Sequence, residues 1–354
     1  MSSRRALWVS TSTETRGGVA TCVRAMQRTP LWDLWNIRHV ATHRNGSVAS
    51  RVTAFLTGTG SFIRELVVRR PALVHLHTSF RGSFARKSVI AWMSRSAGVP
   101  VVMHVHSGGF KEFYSRSPRL LQHYIRATLE GADAVIALGE KWAGALRQIA
   151  PGARIAVVPN AVEPRTPVDQ PGPGEPVHVL FLGDIEDHKG AFLLLEAWSK
   201  LADGSFPGGA DLVMAGAGAV VRARNKAEEL GITDQVQVTG WLAPAQVERL
   251  LSDSHVLVLP STFEGQPMAV LEAMAHGLCV VATDVGGVSD LVDDCGVLLP
   301  VGDLASLVDA LRHVISDTER RATLASRGFR RVQERFDVNF TWRALHALYE
   351  ELAR

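Results

Sequence analysis

The chain lacks the features that mark a secreted, zinc-clustered or membrane-spanning protein. It has three cysteines in 354 residues, Cys22, Cys279 and Cys295, and their spacing fits neither a disulfide framework nor a zinc site. No apolar run approaches the roughly 18 residues that span a bilayer. The N-terminus, MSSRRALWVSTSTETRGG, has too short an apolar stretch for a signal peptide. We therefore expect a cytoplasmic protein.

Charge is nearly balanced over the whole chain but unevenly distributed along it. Residues 1–165 hold 23 Lys and Arg against 8 Asp and Glu, a formal charge of +15, whereas residues 166–354 hold 15 against 27, a formal charge of −12. The basic half favours an anionic partner such as membrane lipid, a pyrophosphate or nucleic acid. Solubility, or attraction between the two halves, would explain the asymmetry equally well.

The two halves repeat one pattern of strand and helix. Ten short β-branched runs are followed by small residues and then by helical periodicity, as in Ala191–Leu201, Gln246–Ser252 and Pro267–His276. The runs, which we predict as strands, are ALWVS, ALVHLH, VPVVMHVH, DAVIAL and IAVVP in the first half and VHVLFLG, DLVMAG, VQVTG, HVLVLP and CVVAT in the second. The runs show little alternation, which is typical of strands covered on both faces. The pattern predicts an α/β fold of two doubly wound, parallel-sheet, Rossmann-like domains that face each other across a cleft.

A proline-rich segment separates the halves. The stretch EPRTPVDQPGPGEP, Glu163–Pro176, contains five prolines and two glycines, so it predicts a semi-rigid linker and neither a helix nor a central strand. We predict a first domain at residues 1–162, the linker at 163–176, a second domain at 177–337 and a terminal helix at 338–354.

The stretch FEGQPMAVLEAMAHG places Glu264 and Glu272 eight positions apart. The pattern predicts a strand, a loop that carries Glu264, and a helix that starts near Pro267 and ends at Gly277. The free N–H groups at such a helix start suit a phosphate, and flanking carboxylates suit the hydroxyls of a ribose and a sugar. Alternatively, Glu264 only complements the helix dipole and Glu272 is solvated.

This stretch resembles the signature of the family 4 retaining glycosyltransferases of GT-B fold, EG-x-P-x-x-x-LEAMA-x-G. The resemblance covers most of residues 177–300, continues through VVATDVGG, and implies that Glu264 contacts the donor sugar and Glu272 the nucleotide ribose. The matching residues are Glu264, Gly265, Pro267, Leu271, Glu272, Ala273, Met274, Ala275 and Gly277. The loop and helix start, Gly265, Gln266, Pro267 and Met268, then belong to the donor site.

A second motif, LFLGDIEDHKG, departs from the family pattern at one position. The resemblance implies a basic pair that holds the departing diphosphate, an arginine directly after Gly183 and a lysine a few residues later. The chain keeps Gly183, Lys189 and Gly190 but has Asp184 in place of the arginine. An anion beside a diphosphate is unfavourable, so we expect another cation to substitute, Asp184 to point away from the donor, or the enzyme to be weak.

The remaining donor-side residues carry weaker signals. MAGAGAVVRARN has Gly216 and Gly218 after a strand but no third glycine in place, which is weak evidence for a dinucleotide. The resemblance places this strand end beside the nucleotide, so we assign Gly216 to the donor site and Trp241 to the base. Trp241 would equally fit a core position.

In the first half, a glycine pair follows the first strand. Gly17 and Gly18 permit close backbone approach at a helix start, and the resemblance assigns this loop to the acceptor and phosphate side, so we count both glycines among the donor-binding residues. A plain turn is the alternative. Arg16 beside them is a candidate replacement for the arginine missing at Asp184.

Two strand ends carry histidine pairs, His75/His77 in VHLHTS and His104/His106 in MHVHSGGF. Residues two apart on a strand share a face, so each pair could chelate a metal, but no third ligand is evident and we expect none. The resemblance implies that His106 reaches the donor sugar; a structural histidine is the alternative. HTSFRGSFARKS and HSGGFKEFY resemble the capsule and exopolysaccharide branch of the family, which implies a lipid-linked acceptor.

The resemblance therefore implies a retaining transferase that needs no metal or cofactor. It would move a hexose-type unit from a UDP- or GDP-linked sugar to a hydroxyl of a glycan or lipid-linked precursor, with His106, Lys189 and Glu264 at the reaction centre. We expect no nucleic acid partner, and we expect the basic half to reach the inner face of the membrane. A non-catalytic nucleotide-sugar-binding protein and a phosphorylase that uses pyridoxal phosphate remain alternatives; a dinucleotide oxidoreductase is weaker.

Overall fold

The structure, a computed structural model, describes residues 4–15, 17–106, 108–201, 206 and 208–354. The chain forms two compact units: unit 1 comprises Met1–Ala161 and Val338–Arg354, and unit 2 comprises Val162–Asp337. Each unit contains one six-stranded sheet in which all pairings are parallel. The predicted α/β class with two Rossmann-like domains is confirmed.

The strands are short and mostly buried. They are β1 Ala6–Ser10, β2 Arg38–Ala41, β3 Leu73–Thr78, β4 Val101–Val105, β5 Ala134–Ala137, β6 Ile155–Val157, β7 Val177–Leu182, β8 Ala210–Ala215, β9 Val236–Gly240, β10 Val256–Leu259, β11 Cys279–Thr283 and β12 Val297–Leu299. The central strands β1, β3, β4, β10 and β11 are buried at every position. Helices on both faces require this, and it explains the unalternating apolar runs.

Helices connect the strands. They are α1 Gly18–Gln27, α2 Pro30–Leu34, α3 Val48–Arg69, α4 Gly82–Ser96, α5 Phe110–Ser115, α6 Arg119–Glu130, α7 Glu140–Ile149, α8 Ala191–Ser199, α9 Val220–Glu229, α10 Pro244–Ser252, α11 Met268–Ala275, α12 Val288–Val292, α13 Leu304–Ser316, α14 Thr318–Arg331 and α15 Val338–Leu352. A 3-10 turn spans Asp187–Lys189 and a π-helical turn spans Val332–Phe336. Within the described part of the chain, none of these helices is long and apolar enough to cross a membrane.

The strand order defines where each sheet can bind a ligand. Unit 1 has the order β2-β1-β3-β4-β5-β6, so its connections reverse direction between β1 and β3. Unit 2 has the order β12-β11-β10-β7-β8-β9 and reverses between β7 and β10. In open parallel sheets, ligands bind outside the carboxyl ends of the strands at this point of reversal.

The segment 163–176 is neither helix nor strand, and it packs against the rest of unit 2. Arg321, which is fully buried, donates from its guanidinium to Gln170 Oε1 at 3.0 Å and to the carbonyl of Pro171 at 2.7 Å. The backbone N–H of Val168 donates to the carbonyl of His276 at 2.8 Å. These contacts place the segment within unit 2, whereas the terminal helix α15 packs with unit 1.

Candidate functional site

In unit 2, a lysine and a glutamate meet where the sheet reverses between β7 and β10. Lys189 Nζ lies 2.6 Å from Glu264 Oε1, and the Ser261 hydroxyl donates to the same oxygen at 2.7 Å. Glu264 is buried and Lys189 is partly buried. The glutamate that has no cationic neighbour in the sequence therefore has one in space, across the strand ends.

The loop that follows β7 is fastened to the loop that follows β10. Gly190 has a φ of +72°, and a Cβ there would lie 2.1 Å from the carbonyl oxygen of Pro260. The backbone N–H of Thr262 donates to the carbonyl of His188 at 2.8 Å. Because only glycine tolerates both this φ and this contact, Gly190 fixes the position of Lys189 beside Glu264.

The Glu264 loop is held from its other side by the glycines of VVATDVGG. Gly286 has a φ of +58°, and a Cβ there would lie 2.0 Å from the carbonyl oxygen of Glu264. Gly287 N–H donates to the carbonyl of Gly265 at 2.8 Å. The glycine turn after β11 thus packs directly on the loop that carries Glu264.

Helix α11 starts next to this ion pair without a side-chain cap. Pro267 is the capping residue and the helix begins at Met268, one residue later than the position we expected for a proline in the first turn. Its first N–H groups have no partner within the helix, so they can bind an anion. Glu272 lies one turn into the helix and is partly exposed.

The other predicted donor residues also lie at the carboxyl ends of unit 2 strands. Gly216 ends β8 so close to β7 that a Cβ there would lie 1.6 Å from the carbonyl oxygen of Gly183. Asp184 is exposed, and Trp241, directly after β9, is 52% exposed, which excludes a core position. The G-x-G spacing therefore reflects close strand packing, and Trp241 presents a ring surface on which a base can stack.

Arg222 was not predicted and lies beside the same loop. Its guanidinium donates to both carboxylate oxygens of Asp187, at 2.7 and 3.0 Å, and lies over the ring of Phe192 at 3.8 Å from the centroid. This arginine, on α9 of unit 2, contacts the loop that lacks the arginine expected after Gly183. In the sequence it was visible only as one of two arginines after the G-x-G stretch.

In unit 1, the glycine pair opens a cavity where the sheet reverses between β1 and β3. Gly17 has a φ of +115° and α1 begins at Gly18 without a side-chain cap. The cavity has a volume of about 250 Å³ and is lined by the start of α1, by the residues that follow β2 and β3, and by α4. Arg16, our candidate replacement arginine, lies outside the described residues.

Two basic residues of α4, Arg86 and Lys87, line this cavity and were not predicted. Lys87 is 2% exposed, and its Nζ donates to the hydroxyl of Thr42 at 2.6 Å. Burial, with a smaller contribution from Arg86, lowers the pKa of Lys87 to about 7. The only signal in the sequence was a lysine on the apolar face of a helix, three positions after Phe84 and three before Ile90.

The two histidine pairs lie together because β3 and β4 are neighbours in the sheet. His75 Nε2 is 3.2 Å from His104 Nδ1, and His77 Nδ1 is 2.8 Å from His106 Nε2. Desolvation lowers the pKa of all four, to about 3 for His75 and about 4 for His106, so they are neutral at pH 7. A neutral His106 can exchange hydrogen bonds with a sugar hydroxyl but cannot serve as a cation.

The same packing supplies the third ligand that the sequence did not show. His75, His77 and His104 offer ring nitrogens that all lie within 4.8 Å of one another. Hydrogen bonds already engage both nitrogens of His75, since its Nδ1 contacts the hydroxyl of Tyr349. The group resembles a chain of hydrogen-bonded, stacked imidazoles at least as closely as a metal site.

Comparison with known families and curated proteins agrees with this geometry. The family model for a glycosyl transferase 4-like domain matches residues 11–161, and that for glycosyl transferases group 1 matches residues 176–317. The chain is 29% identical over 281 residues to 2-deoxystreptamine N-acetyl-D-glucosaminyltransferase of Streptomyces fradiae, over 73% of this chain and 66% of the relative. It is 24% identical over 271 residues to UDP-Gal:alpha-D-GlcNAc-diphosphoundecaprenol alpha-1,3-galactosyltransferase of Escherichia coli, over 69% and 66% respectively. Both matches span just under two thirds of the relative's length.

Solved structures share the fold. Sucrose-phosphate synthase from Thermosynechococcus elongatus matches with a TM-score of 0.81 at 19% identity, over 99% of both chains. Anabaena Alr3699/HepE in complex with UDP matches with a TM-score of 0.74 at 18% identity, over 98% of this chain and 100% of that one.

Proposed function

This chain belongs to the family 4 glycosyltransferases of GT-B fold, and we propose that it transfers a sugar from a nucleoside diphosphate sugar to a hydroxyl group of a glycan precursor. The contact between Lys189 and Glu264 carries this proposal. It joins two sequence motifs across the point where the sheet of unit 2 reverses, which is where an open α/β sheet binds a nucleotide.

Different residues of unit 2 contact different parts of the donor in this proposal. Lys189 and the uncapped start of α11 face the diphosphate, Glu264 holds the sugar, Glu272 holds the ribose and Trp241 stacks on the base. Positive charge and helix N–H groups aimed at a leaving diphosphate stabilise it as it departs, the kind of electrostatic effect that usually dominates catalysis. We take UDP as the first nucleotide to test, with GDP second, because the solved structure of similar fold was obtained with UDP.

We further propose that the transfer retains the anomeric configuration and needs no metal. Lys189 supplies the positive charge that a metal would otherwise supply to the departing phosphate, and attack then occurs on the face that the diphosphate leaves. The three clustered histidines are the part of the chain that could contradict this. Transfer that is unchanged in excess EDTA supports the proposal, whereas a loss that zinc restores would contradict it.

The acceptor that we propose is lipid-linked. The galactosyltransferase relative is named for an acceptor joined to diphosphoundecaprenol, and the other relative for 2-deoxystreptamine. The surface of unit 1 favours the first type. Helix α3 exposes an apolar stripe of five side chains, 41–75% exposed. The five are Val48, Val52, Leu56, Ile63 and Val67.

Basic residues flank this stripe on both sides of the helix. At 3.6 residues per turn, Arg51 and Arg69 lie on one side of the stripe and Arg64 on the other. The one carboxylate of α3, Glu65, is buried. A helix with an apolar face and cationic flanks binds the interface of an anionic bilayer, so we propose peripheral membrane attachment through α3.

One observation favours a second function. Asp184 is exposed at the position where the family places an arginine, so a protein that binds a nucleotide sugar without transferring it remains the alternative. Turnover of any donor by the purified chain eliminates this alternative.

The first experiment is thermal unfolding of the full chain with a panel of nucleoside diphosphates. A ligand at 100 times its Kd stabilises the fold by about 2.7 kcal/mol, which raises Tm by a few degrees. The proposal predicts that one base stands out and that Glu272→Ala removes its effect. A matched control, Glu229→Ala, changes an exposed glutamate at the end of α9 and should leave the effect intact. A well-folded wild type that responds to no nucleotide would contradict the proposal.

A further inference from the structure

The cavity of unit 1 carries positive charge that no acidic side chain among the described residues balances. Arg86 and Lys87 line it, and the described residues around it include no Asp or Glu. Among the described residues, no ion pair involves either Arg86 or Lys87. A buried charge without a counter-charge is strongly unfavourable, so such a group persists where a ligand supplies the missing charge.

Lys87 is the clearest case. It is 2% exposed, and the one hydrogen bond found for its Nζ goes to a neutral hydroxyl, that of Thr42. The histidines near it are neutral or cationic and so cannot supply a negative charge; burial lowers the pKa of His39 to about 4 and also lowers the pKa of His43. The fold therefore buries a lysine side chain among neutral or cationic neighbours.

A second polar group of the same cavity also lacks a partner. His77 lines the cavity and is 2% exposed, and its Nε2 has no hydrogen-bond partner among the described residues. Its other nitrogen is engaged by His106. A hydrogen on the free Nε2 would be a donor, like the N–H groups at the start of α1 that line the same cavity.

We propose that this cavity binds an oxyanion carried by the acceptor, a phosphate or carboxylate group, through Lys87, Arg86 and His77. This inference rests on the glycosyltransferase function proposed above. The donor diphosphate already has its own cation and helix start in unit 2, at Lys189 and α11. The cavity lies at the point of reversal of the other sheet and, at about 250 Å³, accommodates a small anionic group.

Sulfate is the probe, because it stays a dianion across the pH range in which the protein titrates. Thermal unfolding of the full chain is measured in sulfate and in chloride at equal ionic strength, for the wild type, Lys87→Met, Arg86→Gln and a control, Lys111→Met. Lys111 is an exposed lysine of α5 in unit 1. We expect a saturable rise in Tm in the wild type and in the control, an apparent Kd at least about 10-fold weaker in Lys87→Met, and a smaller weakening in Arg86→Gln.

The basal stability of Lys87→Met provides a second readout. Replacing an unpaired buried ammonium by an apolar chain of similar length should raise Tm in chloride, because the variant no longer buries a charge. Sulfate binding with undiminished affinity in Lys87→Met, or no sulfate binding in the wild type, overturns the proposal. If Lys87→Met does not fold, the sulfate affinity of Arg86→Gln alone tests the proposal. The Arg86 side chain is only partly buried, so its replacement should leave the fold intact.

The nucleotide separates this site from the donor site. Lys87→Met should keep the stabilisation by nucleoside diphosphate, and Glu272→Ala should lose it while keeping the response to sulfate. Loss of both responses in Lys87→Met means that the cavity serves the donor diphosphate, which overturns the assignment to the acceptor. A nucleotide response without any sulfate response leaves the glycosyltransferase proposal standing and removes this one.

The pH dependence gives an independent check. Because Lys87 has a pKa of about 7 in the unliganded protein, sulfate affinity should fall by about 10-fold between pH 6.5 and pH 8.5 as the ammonium loses its proton. Among the groups that face it, burial lowers the pKa of His39 to about 4 and that of His77 well below its ordinary value, and Arg86 stays protonated. Burial and the neighbouring cations also lower the pKa of His43. A flat profile contradicts the role of Lys87.

Discussion

Lys189 Nζ and Glu264 Oε1 lie 2.6 Å apart although 75 positions separate the two residues in the chain. The contact joins the loop after β7 to the loop after β10. It balances the charge of a carboxylate that is 6% exposed. In the proposed function, the pair is broken or shared when the donor binds, because the diphosphate competes for the lysine and the sugar hydroxyls compete for the glutamate.

The first prediction follows from the competition of the donor for both side chains of this pair. Lys189→Met and Glu264→Gln should each reduce kcat by about 10²–10³, the usual cost of removing one group that stabilises developing charge. Because the two side chains act as a unit, the double variant should be little worse than either single one. Steady-state rates of sugar transfer provide the measurement, with Lys200→Met, an exposed lysine of unit 2, as the control. Strict additivity would show that the two side chains act independently, and unchanged rates would show that the pair is only structural.

Asp184 gives a prediction of increased affinity. The side chain is exposed at the end of β7, next to the loop that carries Lys189. Asp184→Arg should lower the KM for the donor by about 10-fold, because a charge-assisted hydrogen bond to phosphate replaces an unfavourable anion. Asp184→Asn should give a smaller decrease, since it removes the repulsion without adding a donor cation. A KM that stays the same in both variants would place Asp184 away from the bound diphosphate.

The buried histidines of unit 1 make its stability depend on pH. Burial lowers the pKa of His75 to about 3 and of His39 to about 4, and the pKa of His106 also falls to about 4, against 6.5 when exposed. Between pH 6.5 and pH 4 these histidines therefore bind protons in the unfolded chain but not in the folded chain. This stability is fully present above pH 6.5 and is lost as the pH falls toward 4, at up to about 1.4 kcal/mol per histidine per pH unit.

Chemical denaturation of the wild type between pH 7.5 and pH 5 measures this loss. His39→Gln should reduce the slope without removing it, because the lowered pKa values of His75, His77, His104 and His106 contribute in the same direction. His123→Gln, which changes an exposed histidine of α6, should leave the slope unchanged. Equal slopes in the wild type and His39→Gln would mean that acid unfolding has another origin.

The sequence predicted the fold and most strands because buried parallel strands leave an unambiguous apolar run. Ala6–Ser10 is predicted and observed with the same bounds. The two strands that were missed, β2 Arg38–Ala41 and β12 Val297–Leu299, both lie at sheet edges, where strands are short and half exposed and so lack that run. Edge position is a property of the assembled sheet and leaves little trace in local sequence.

The candidate site was predictable where its parts lie close together in the chain. Glu264, Pro267 and Glu272 form one motif, and their geometry follows from one loop and one helix. The contact of Glu264 with Lys189 and the combination of two histidine pairs depend on which strands become neighbours, which periodicity does not encode. Lys87 was missed for a different reason. A single lysine on the apolar face of a helix does not show from the sequence alone whether its side chain is buried or reaches solvent.

Membrane attachment through α3 gives the last prediction. Sedimentation with vesicles should show binding that rises with the fraction of phosphatidylglycerol in phosphatidylcholine and falls with added salt, because the arginines beside the stripe attract anionic lipid. Leu56→Glu, at the centre of the stripe, should abolish this binding by placing a charge in the apolar interface. Val221→Glu alters an exposed apolar residue of α9 in unit 2, 69% exposed, and should bind vesicles like the wild type. Equal binding by wild type and Leu56→Glu would exclude α3 as the contact surface, and binding to pure phosphatidylcholine at high salt would exclude its electrostatic component.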